Sequence, residues 1–439
     1  MGNIDWRNKF DTPIFFVTPD VKRGLGLEDV FPDFHIIVSV WDELIPVLRR
    51  KGVSIFCLEE IRPNNSLIMN SGQLLEEKAV LDYIKKESAS AVSQIAFFKP
   101  SAKLDEIIKM KGFRKVGNDS LTNRYFENKV NMPTVLRGLA EYLLPGKIKR
   151  MAGFSFKEEA ERFSLPLVVQ FGFGWAGKNT YFIEKEEEFK RLKKRFPHTL
   201  AKVTSEIKAI TVLNNCCLYH GQVLISPPAL QINGFSLLSQ NKAATCGRQW
   251  PAVLPDIRME KEIKDISFRV GDIMNKNGFR GFFGLDFLIE ENSGKIYLTE
   301  INPRLTASSS FFTYLEKATD RLPLLAYHYA EFSSVDLPLM TENGKDEIAG
   351  SQLSLRNRET FTKIKLPQNF GIYGFQDNKW RIKRIDYNWK EIEKGEIIYF
   401  PQKRKLPESE LARIETKMPA VSSSYRLAPW VDNLFSLNL

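Results

Sequence analysis

The chain has 439 residues, of which 43% are hydrophobic and 26% are charged. This composition is ordinary for a globular protein of roughly three domains, at about 150 residues per domain, and it excludes a wholly disordered chain. No apolar run approaches the length of a membrane span, about 18 residues, and residues 1–6 do not begin a signal segment. We therefore predict no membrane association.

Four cysteines and four histidines are scattered through the sequence. They are too sparse for a disulfide scaffold and their spacing fits no zinc site, so we expect idle thiols in the reducing cytoplasm. Lysine and arginine exceed aspartate and glutamate by ten, which favours anionic ligands such as nucleotides, acidic substrates or an acidic protein. The basic residues form no single tract, so a nucleic-acid-binding module is only a distant alternative.

The first third alternates strand-like and helix-like segments. Short apolar runs predict strands at residues 13–17, 35–40, 53–58 and 94–99, and helices at 41–51, 73–86 and 102–111 lie between or after them. This alternation is typical of a parallel, Rossmann-like α/β layer. The layer lacks the glycine fingerprint of a dinucleotide site, so we interpret it as scaffold.

The middle of the chain is predicted to be mixed α/β. An apolar stripe predicts one helix from residue 129 to 143, and further helices are predicted at 184–195 and 259–277. Strands are predicted at 165–170, 180–183, 200–203, 208–213 and 222–226, followed by an irregular stretch over 226–255. From about residue 345 short strands dominate, with one helix at 408–415, and the polar stretch 341–346 is the candidate linker before them.

The most informative segment is residues 281–304. Two apolar runs joined by Asn-Ser-Gly predict a β-hairpin with a three-residue loop and Gly294 in the left-handed conformation. If Glu291 pairs with Lys295, Asp286 faces Glu300 across the hairpin, and Asn302 lies on the same face opposite Gly284.

Two carboxylates that face each other at roughly 5 Å repel, so one must take a proton or a cation must lie between them. Asp286, Glu300 and the amide oxygen of Asn302 form an all-oxygen set that suits Mg²⁺, with Mn²⁺ as an alternative ion. Arg304 continues the alternation and offers a fixed positive group for phosphoryl oxygens. The alternative, a hairpin with a merely polar face, leaves an unpaired carboxylate inside an apolar run.

A second segment, residues 170–180, resembles a phosphate loop from Gly172 to Lys178. Asn179 stands where that loop needs a hydroxyl, and a strand follows where it needs a helix, so the match is misleading. We interpret the segment as a glycine-bearing flap whose backbone N–H groups and Lys178 cover a triphosphate. An ordinary glycine hairpin is the alternative.

Together these residues resemble the ATP-grasp superfamily, over roughly residues 127–330. The pattern Asp286 … Glu300-Ile301-Asn302-Pro303-Arg304 at hairpin spacing is its most specific element. The resemblance implies three parts: an N-terminal pre-ATP-grasp α/β domain (1–125), a central ATP-grasp domain with the nucleotide and metal site (126–340) and a small β-rich C-terminal domain (345–439). It favours the biotin carboxylase-like, carboxylate–amine ligase type.

The resemblance also implies roles for particular residues. Lys129 contacts nucleotide phosphate, and backbone groups at Lys202, Val203 and Thr204, in an adenine-binding linker, read the base. The flap carries further ATP-binding residues, namely Gly174, Gly177 and Lys178. Relatives usually have a lysine on the strand before the flap, whereas this chain has Gln170, which still donates a hydrogen bond but brings no charge.

These roles predict an ATP- and Mg²⁺-dependent, ADP-forming ligase. It activates a carboxylate of an amino acid or peptide-like molecule as an acyl phosphate, with Arg304 as the catalytic residue, and joins it to an amine. One alternative is acyl transfer to the thiol of an acidic carrier protein. Another, motivated by Gln170, is a nucleotide-binding protein without ligase activity. A small-molecule acid and amine are the expected partners, and an oligomer is compatible with the sequence.

Substrate recognition is assigned to the irregular stretch and to the residues after the metal motif. Arg248 is placed to clamp a carboxylate through two hydrogen bonds, and Ser308 is a second substrate-binding candidate. A solvated loop arginine is the alternative for Arg248.

Overall fold

The computed structural model describes residues 10, 12–63, 68–89, 91–173, 180–339, 347–356, 366–377, 379–402 and 410–436. The strands are β1 (Ile14–Thr18), β2 (Phe34–Val38), β3 (Ser54–Cys57), β4 (Gln94–Phe97), β5 (Arg114–Val116), β6 (Lys147–Arg150), β7 (Leu167–Phe171), β8 (Thr180–Ile183), β9 (Leu200–Ser205), β10 (Ala209–Tyr219), β11 (Gln222–Ile225), β12 (Ala229–Ile232), β13 (Gly247–Trp250), β14 (Gly281–Glu290), β15 (Ile296–Asn302), β16 (Gly350–Leu355), β17 (Gly371–Gln376), β18 (Lys379–Arg384), β19 (Glu396–Pro401) and β20 (Ala412–Thr416).

The α-helices are α1 (Leu44–Arg50), α2 (Leu58–Ile61), α3 (Ser71–Glu76), α4 (Lys78–Glu87), α5 (Ala102–Met110), α6 (Ser120–Glu127), α7 (Met132–Val135), α8 (Phe156–Phe163), α9 (Glu186–Arg195), α10 (Arg258–Lys276), α11 (Ser309–Ala318), α12 (Leu324–Ser333) and α13 (Pro429–Ser436). Within the described ranges, none of these helices is both long and apolar enough to cross a bilayer.

The N-terminal layer is a parallel sheet with the strand order β3-β2-β1-β4-β5. Every residue of β1 is buried, because successive side chains enter two different cores: Phe16 packs in one and Phe15 in the other. A strand that is covered on both faces has a continuous run of apolar residues, and this run allowed β1 to be predicted from the sequence. The predicted α/β layer is confirmed.

A small antiparallel sheet has the order β6-β9-β7-β8. One face is apolar and packs on α8 and α9 through a separate core that includes Val169, Ala201 and Val203. Because side chains alternate along a strand, the other face carries Gln170, Lys202 and the residues beside them. This polar face belongs to the region that the sequence assigned to ATP.

The largest sheet runs β15-β14-β10-β12-β13-β16-β20-β19-β17-β18, with β11 paired to β10. The strands of the predicted C-terminal domain therefore continue the sheet that carries the hairpin, through the pairing of β13 with β16. The candidate linker 341–346 lies outside the described residues. The mixed α/β and α+β architecture predicted from the sequence is confirmed.

Three predicted elements are wrong. The single helix over 129–143 is a short α7 followed by a 3₁₀ segment, since Leu136 and Leu139 have non-helical backbone angles, although the stripe is still buried. The helix predicted at 408–415 is replaced by strand β20 over its last residues, and 403–409 are not described. The stretch 226–255 is not irregular throughout, because it contains β12 and β13.

Gly247 at the start of β13 gives a test of how the two parts of this sheet are joined. Its φ is +148°, and a Cβ there would lie 2.1 Å from the carbonyl oxygen of Gln352 on β16. We expect Gly247→Ala to lower the free energy of unfolding by about 3 kcal/mol or more, through overpacking and backbone strain. Urea denaturation measures the change, and Gly138→Ala, where a Cβ meets nothing within 4 Å, is the control. An unchanged midpoint for Gly247→Ala would contradict the packing described.

Candidate active site

The hairpin of β14 and β15 brings two acids face to face. Asp286 lies directly opposite Glu300, and Gly284 opposite Asn302, as the sequence predicted. Gly294 has a φ of +69°, in the left-handed region, which is also as predicted. The two carboxylates and the amide thus share one face of the sheet.

The predicted register is wrong beyond Asp286. A β-bulge at Thr299 shifts the pairing, so that Phe287 faces Leu298 and the loop has four residues, 291–294. The Thr299 hydroxyl donates a 3.0 Å hydrogen bond to the carbonyl oxygen of Asp286. Because an extra residue inverts the alternation, Leu298 and Ile301 both reach the core, three positions apart. The bulge therefore keeps Glu300 on the polar face.

Lys129 is the cation closest to this pair among the ion pairs of the described residues. Its ammonium lies 2.8 Å from a carboxylate oxygen of Glu300, and its backbone N–H donates to the carbonyl oxygen of Gly172 over 2.9 Å. Burial favours the neutral amine, yet the charges of Glu300 and Asp286 raise the pKa of Lys129. The lysine thus links the end of β7 to the acid pair.

The surroundings of Asp286 disfavour its ionised form in spite of nearby cations. Burial, followed by the charge of Glu300, raises the pKa of Asp286 to about 7, although Lys129 and Arg304 oppose this. A buried carboxyl whose ionisation is this unfavourable gains from a nearby cation.

Arg304 is buried and held in place from two sides. Its guanidinium donates to the amide oxygen of Asn302 over 3.0 Å and lies 3.4 Å from Glu127. Glu127 is also paired with Lys99 at 2.7 Å, so removal of the arginine does not leave that acid alone. The amide nitrogen of Asn302 in turn lies 3.5 Å from Asp286. A fixed positive group therefore borders the acid pair.

The donor set fits a hard divalent cation. Two carboxylates face each other, and the amide oxygen of Asn302, which accepts a hydrogen bond from Arg304, would join them once the amide turns toward the ion. Mg²⁺ takes its remaining ligands from water and phosphate. Within the described residues, no group of three or more His, Cys, Asp or Glu side chains gathers to form another kind of centre. The direct pairing of Asp286 with Glu300 across the hairpin, two acids on one face of an otherwise largely apolar ribbon, supports a cation between them.

The small sheet presents the other predicted nucleotide residues. Gln170 and Lys202 are cross-strand partners and therefore share the polar face. The amide of Gln170 lies 3.4 Å from the hydroxyl of Thr180, and the hydroxyl of Thr204 is buried without a partner in the described chain. The flap residues Gly174, Gly177 and Lys178 lie outside the described residues.

The predicted linker at Lys202, Val203 and Thr204 is instead part of strand β9. Lys202 and Val203 are paired with β6 on one side and β7 on the other, so their backbone groups belong to the sheet. The connection to the next strand is residues 206–208. The side chains of Lys202 and Thr204 lie on the polar face of the sheet, whereas that of Val203 packs in its apolar core.

The two substrate candidates are buried. Arg248 lies in β13 and is 6% exposed, so the alternative of a solvated loop arginine is wrong. Ser308, at the start of α11, donates to the side-chain oxygen of Asn215 over 2.9 Å.

Sequence reasoning missed the residues that hold these groups. Glu127, to which the sequence assigned no role, positions Arg304. Asn215 lies opposite Gly284 on β10, and its side-chain nitrogen is buried without a partner in the described part of the chain. The sequence signal for Asn215 is a pair of asparagines inside an apolar strand, because a buried amide is costly unless it is hydrogen-bonded.

No protein-family model matches the chain, and no curated protein sequence matches it significantly. Solved structures do superpose on it. N5-carboxyaminoimidazole synthetase from Staphylococcus aureus, complexed with ADP, has a TM-score of 0.59 at 13% identity and covers 98% of both chains. The biotin carboxylase complex from Campylobacter jejuni has a TM-score of 0.62 at 13% identity, over 93% of this chain and 88% of that one.

A third structure, N5-carboxyaminoimidazole synthase from Aspergillus clavatus in complex with ADP and its aminoimidazole ribonucleotide, has a TM-score of 0.57 at 12% identity, over 98% and 99% of the two chains. These enzymes share the ATP-grasp fold. This chain therefore has the ATP-grasp fold, and the resemblance drawn from the hairpin motif is confirmed at the level of fold.

Proposed function

We propose that this protein is an ATP- and Mg²⁺-dependent ligase that activates a carboxylate as an acyl phosphate and joins it to an amine, releasing ADP. The observation that carries the proposal is the facing pair Asp286 and Glu300, with Asn302 beside it and the cations Lys129 and Arg304 at its edges. Structures of similar fold are complexes with ADP, which supports a nucleotide in this cleft.

Asp286, Glu300 and Asn302 would hold the Mg²⁺. The ion supplies neutralisation and orientation of the nucleotide phosphates when it is bound. The backbone N–H of Lys129 donates to Gly172, directly after the strand that carries Gln170. Both side chains would bind phosphate oxygens. Arg304, held rigid by Glu127, would lie against the transferring phosphoryl group and the attacking acid.

Phosphoryl transfer to a carboxylate requires mainly that the protein position the reactants and supply fixed positive charge. A carboxylate oxygen forms a bond to the γ-phosphorus while the bond from that phosphorus to the bridging oxygen of ADP breaks. The amine then forms a bond to the acyl carbon, phosphate leaves, and the amine loses a proton. Arg304 stabilises the charge that spreads over the phosphoryl oxygens in the first step.

The proposal is tested by phosphate release over pooled amino acids and amines, with mass detection of the condensed product and hydroxylamine to trap an acyl phosphate. A hydroxamate with stoichiometric ADP supports the ligase. Release that requires an acidic carrier protein would instead support transfer to a thiol. ATP binding by calorimetry without any ADP formation would favour a nucleotide-binding protein, the alternative that Gln170 motivates.

Lys202 gives a pH test of the nucleotide position. Burial lowers the pKa of Lys202 to about 8, and no charged side chain of the described residues offsets this. Since phosphate favours the protonated amine, we expect the affinity for a non-hydrolysable ATP analogue to be flat below pH 8 and to fall above it, by at most about tenfold per pH unit.

Calorimetry between pH 7 and 9.5 measures the dependence. Lys202→Met should bind the analogue more weakly and without that fall, whereas Lys190→Met, at an exposed lysine of α9, should match the wild type. Wild-type affinity that stays flat through pH 9.5 would place the phosphates away from Lys202.

A further inference from the structure

Arg248 is a buried cation without a partner. Within the described chain no hydrogen bond or ion pair engages its side chain, and its Nε is buried and unsatisfied. Burial, followed by the charge of Arg413, lowers the pKa of Arg248 to about 10, although Glu410 and Asp286 oppose this. Such a group is costly unless an anion occupies the space beside it.

The neighbouring acids are already engaged. Glu410 accepts hydrogen bonds from Arg413 at 3.0 Å and from the hydroxyl of Ser354 at 2.6 Å. Glu415 accepts from the amide of Gln352 at 2.7 Å. The anion that Arg248 lacks is therefore not supplied by these side chains of its own sheet.

Arg248 shares a face of the large sheet with the acid pair. Asp286 is opposite Leu213, Leu213 is opposite Ala229, and Gln231, two residues along the same strand, is opposite Arg248. Cross-strand partners and residues two apart point the same way. Asp286 is accordingly among the charges that act on Arg248.

The same face is covered by the end of the N-terminal sheet. The loop after β1 carries Asp20, which Lys22 contacts, and both Asp20 and Arg23 interact electrostatically with Arg413. The carboxyl ends of parallel strands are where open α/β sheets bind their ligands. Arg248 thus lies on the face of the large sheet that this loop approaches.

The distance between the two sites sets the size of the ligand. Three strand spacings and a two-residue offset separate the Cα atoms of Asp286 and Arg248 by roughly 15 Å. Side chains on one face of a sheet stand roughly perpendicular to it, so the two head groups are separated by a distance of the same order, which the flexible arginine and the bound phosphate shorten. Diacids of graded length, from glutarate to suberate, are therefore suitable probes of this span.

We propose that Arg248 binds a second anionic group of the acid substrate, remote from the carboxylate that is phosphorylated, so that the substrate is a dianionic acid. The position of the phosphorylated carboxylate rests on the proposed function. The site for the second anionic group rests on Arg248 alone. A guanidinium in this position selects a carboxylate through paired hydrogen bonds and rejects a monoacid by leaving its own charge unpaired.

Calorimetry with glutarate, adipate, pimelate and suberate, each against the monoacid of equal length, tests the site in the presence of Mg²⁺ and a non-hydrolysable ATP analogue. We expect at least one diacid to bind the wild type tenfold or more tightly than its monoacid. Arg248→Met should erase that preference and keep the affinity for the analogue. Arg248→Lys, which keeps the positive charge, should retain part of the preference for the diacid. This variant replaces Arg248→Met in the test if the methionine variant does not fold.

Arg258→Met, at an exposed arginine, is the matched control and should keep the preference. Equal binding of diacids and monoacids by the wild type, or a preference that survives Arg248→Met, would overturn the inference. An analogue that does not bind, together with a diacid preference that depends on Arg248, would reject the ATP-dependent function and leave the anion site standing.

Discussion

Glu300→Gln should reduce ADP formation on the order of a thousandfold. The carboxylate faces Asp286, and the change removes one negative charge from the set that would hold Mg²⁺. The glutamine oxygen still accepts a hydrogen bond from Lys129, so the hairpin and the free energy of unfolding should change little. Coupled-enzyme detection of ADP and urea denaturation measure the two quantities.

Glu291→Gln is the matched control, because Glu291 lies in the loop of the same hairpin and pairs with the exposed Lys208. It should turn over like the wild type. Wild-type ADP formation by Glu300→Gln would remove Glu300 from the metal site, and a large loss of stability would mean that its role is structural.

Arg304→Ala should lower kcat by about a thousandfold, in the range seen when an arginine that stabilises phosphoryl transfer is removed. The affinity for a non-hydrolysable ATP analogue should change by less than about threefold, because the arginine acts on charge that develops during the reaction. Glu127 keeps its ion pair with Lys99 in the variant, so the fold should persist.

The prediction is tested by comparing the loss in kcat with the loss in affinity for the ATP analogue in Arg304→Ala. Arg258→Ala, at an exposed site, should leave both unchanged. Equal losses in kcat and in analogue affinity for Arg304→Ala would mean that Arg304 binds the ground state and does not stabilise the transition state.

The hairpin could be predicted because its signals are local. Two apolar runs with an intervening glycine fix the pairing near Asp286, and an acid inside such a run identifies the polar face. The bulge could not be predicted, since Thr299 is an ordinary strand residue whose hydroxyl happens to bond the partner strand. The acid pair was still correctly placed, because the predicted pairing holds from Gly284 to Asp286.

The surroundings of Arg248 were missed for a different reason. Strands β13 and β20 bury side chains on both faces, and one of those faces is polar, with Arg248 on β13 and Arg413 and Glu415 on β20. Strand β13 has four residues with a buried arginine among them and was predicted as irregular, whereas the alternation in β20 is too short to tell a strand from a helix. The position of both strands depends on pairing between segments about 100 residues apart for β13 and β16 and about 60 for β16 and β20, which sequence periodicity does not reveal.

We propose that Asp286 and Glu300 bind one divalent ion, whose shell the nucleotide phosphates complete. Electron paramagnetic resonance of free Mn²⁺, titrated with protein and ADP, detects that ion. We expect the wild type to remove about one Mn²⁺ per chain from solution when ADP is present. Glu300→Gln should remove far less, and equal depletion of Mn²⁺ by the two proteins would show that Glu300 does not bind the ion.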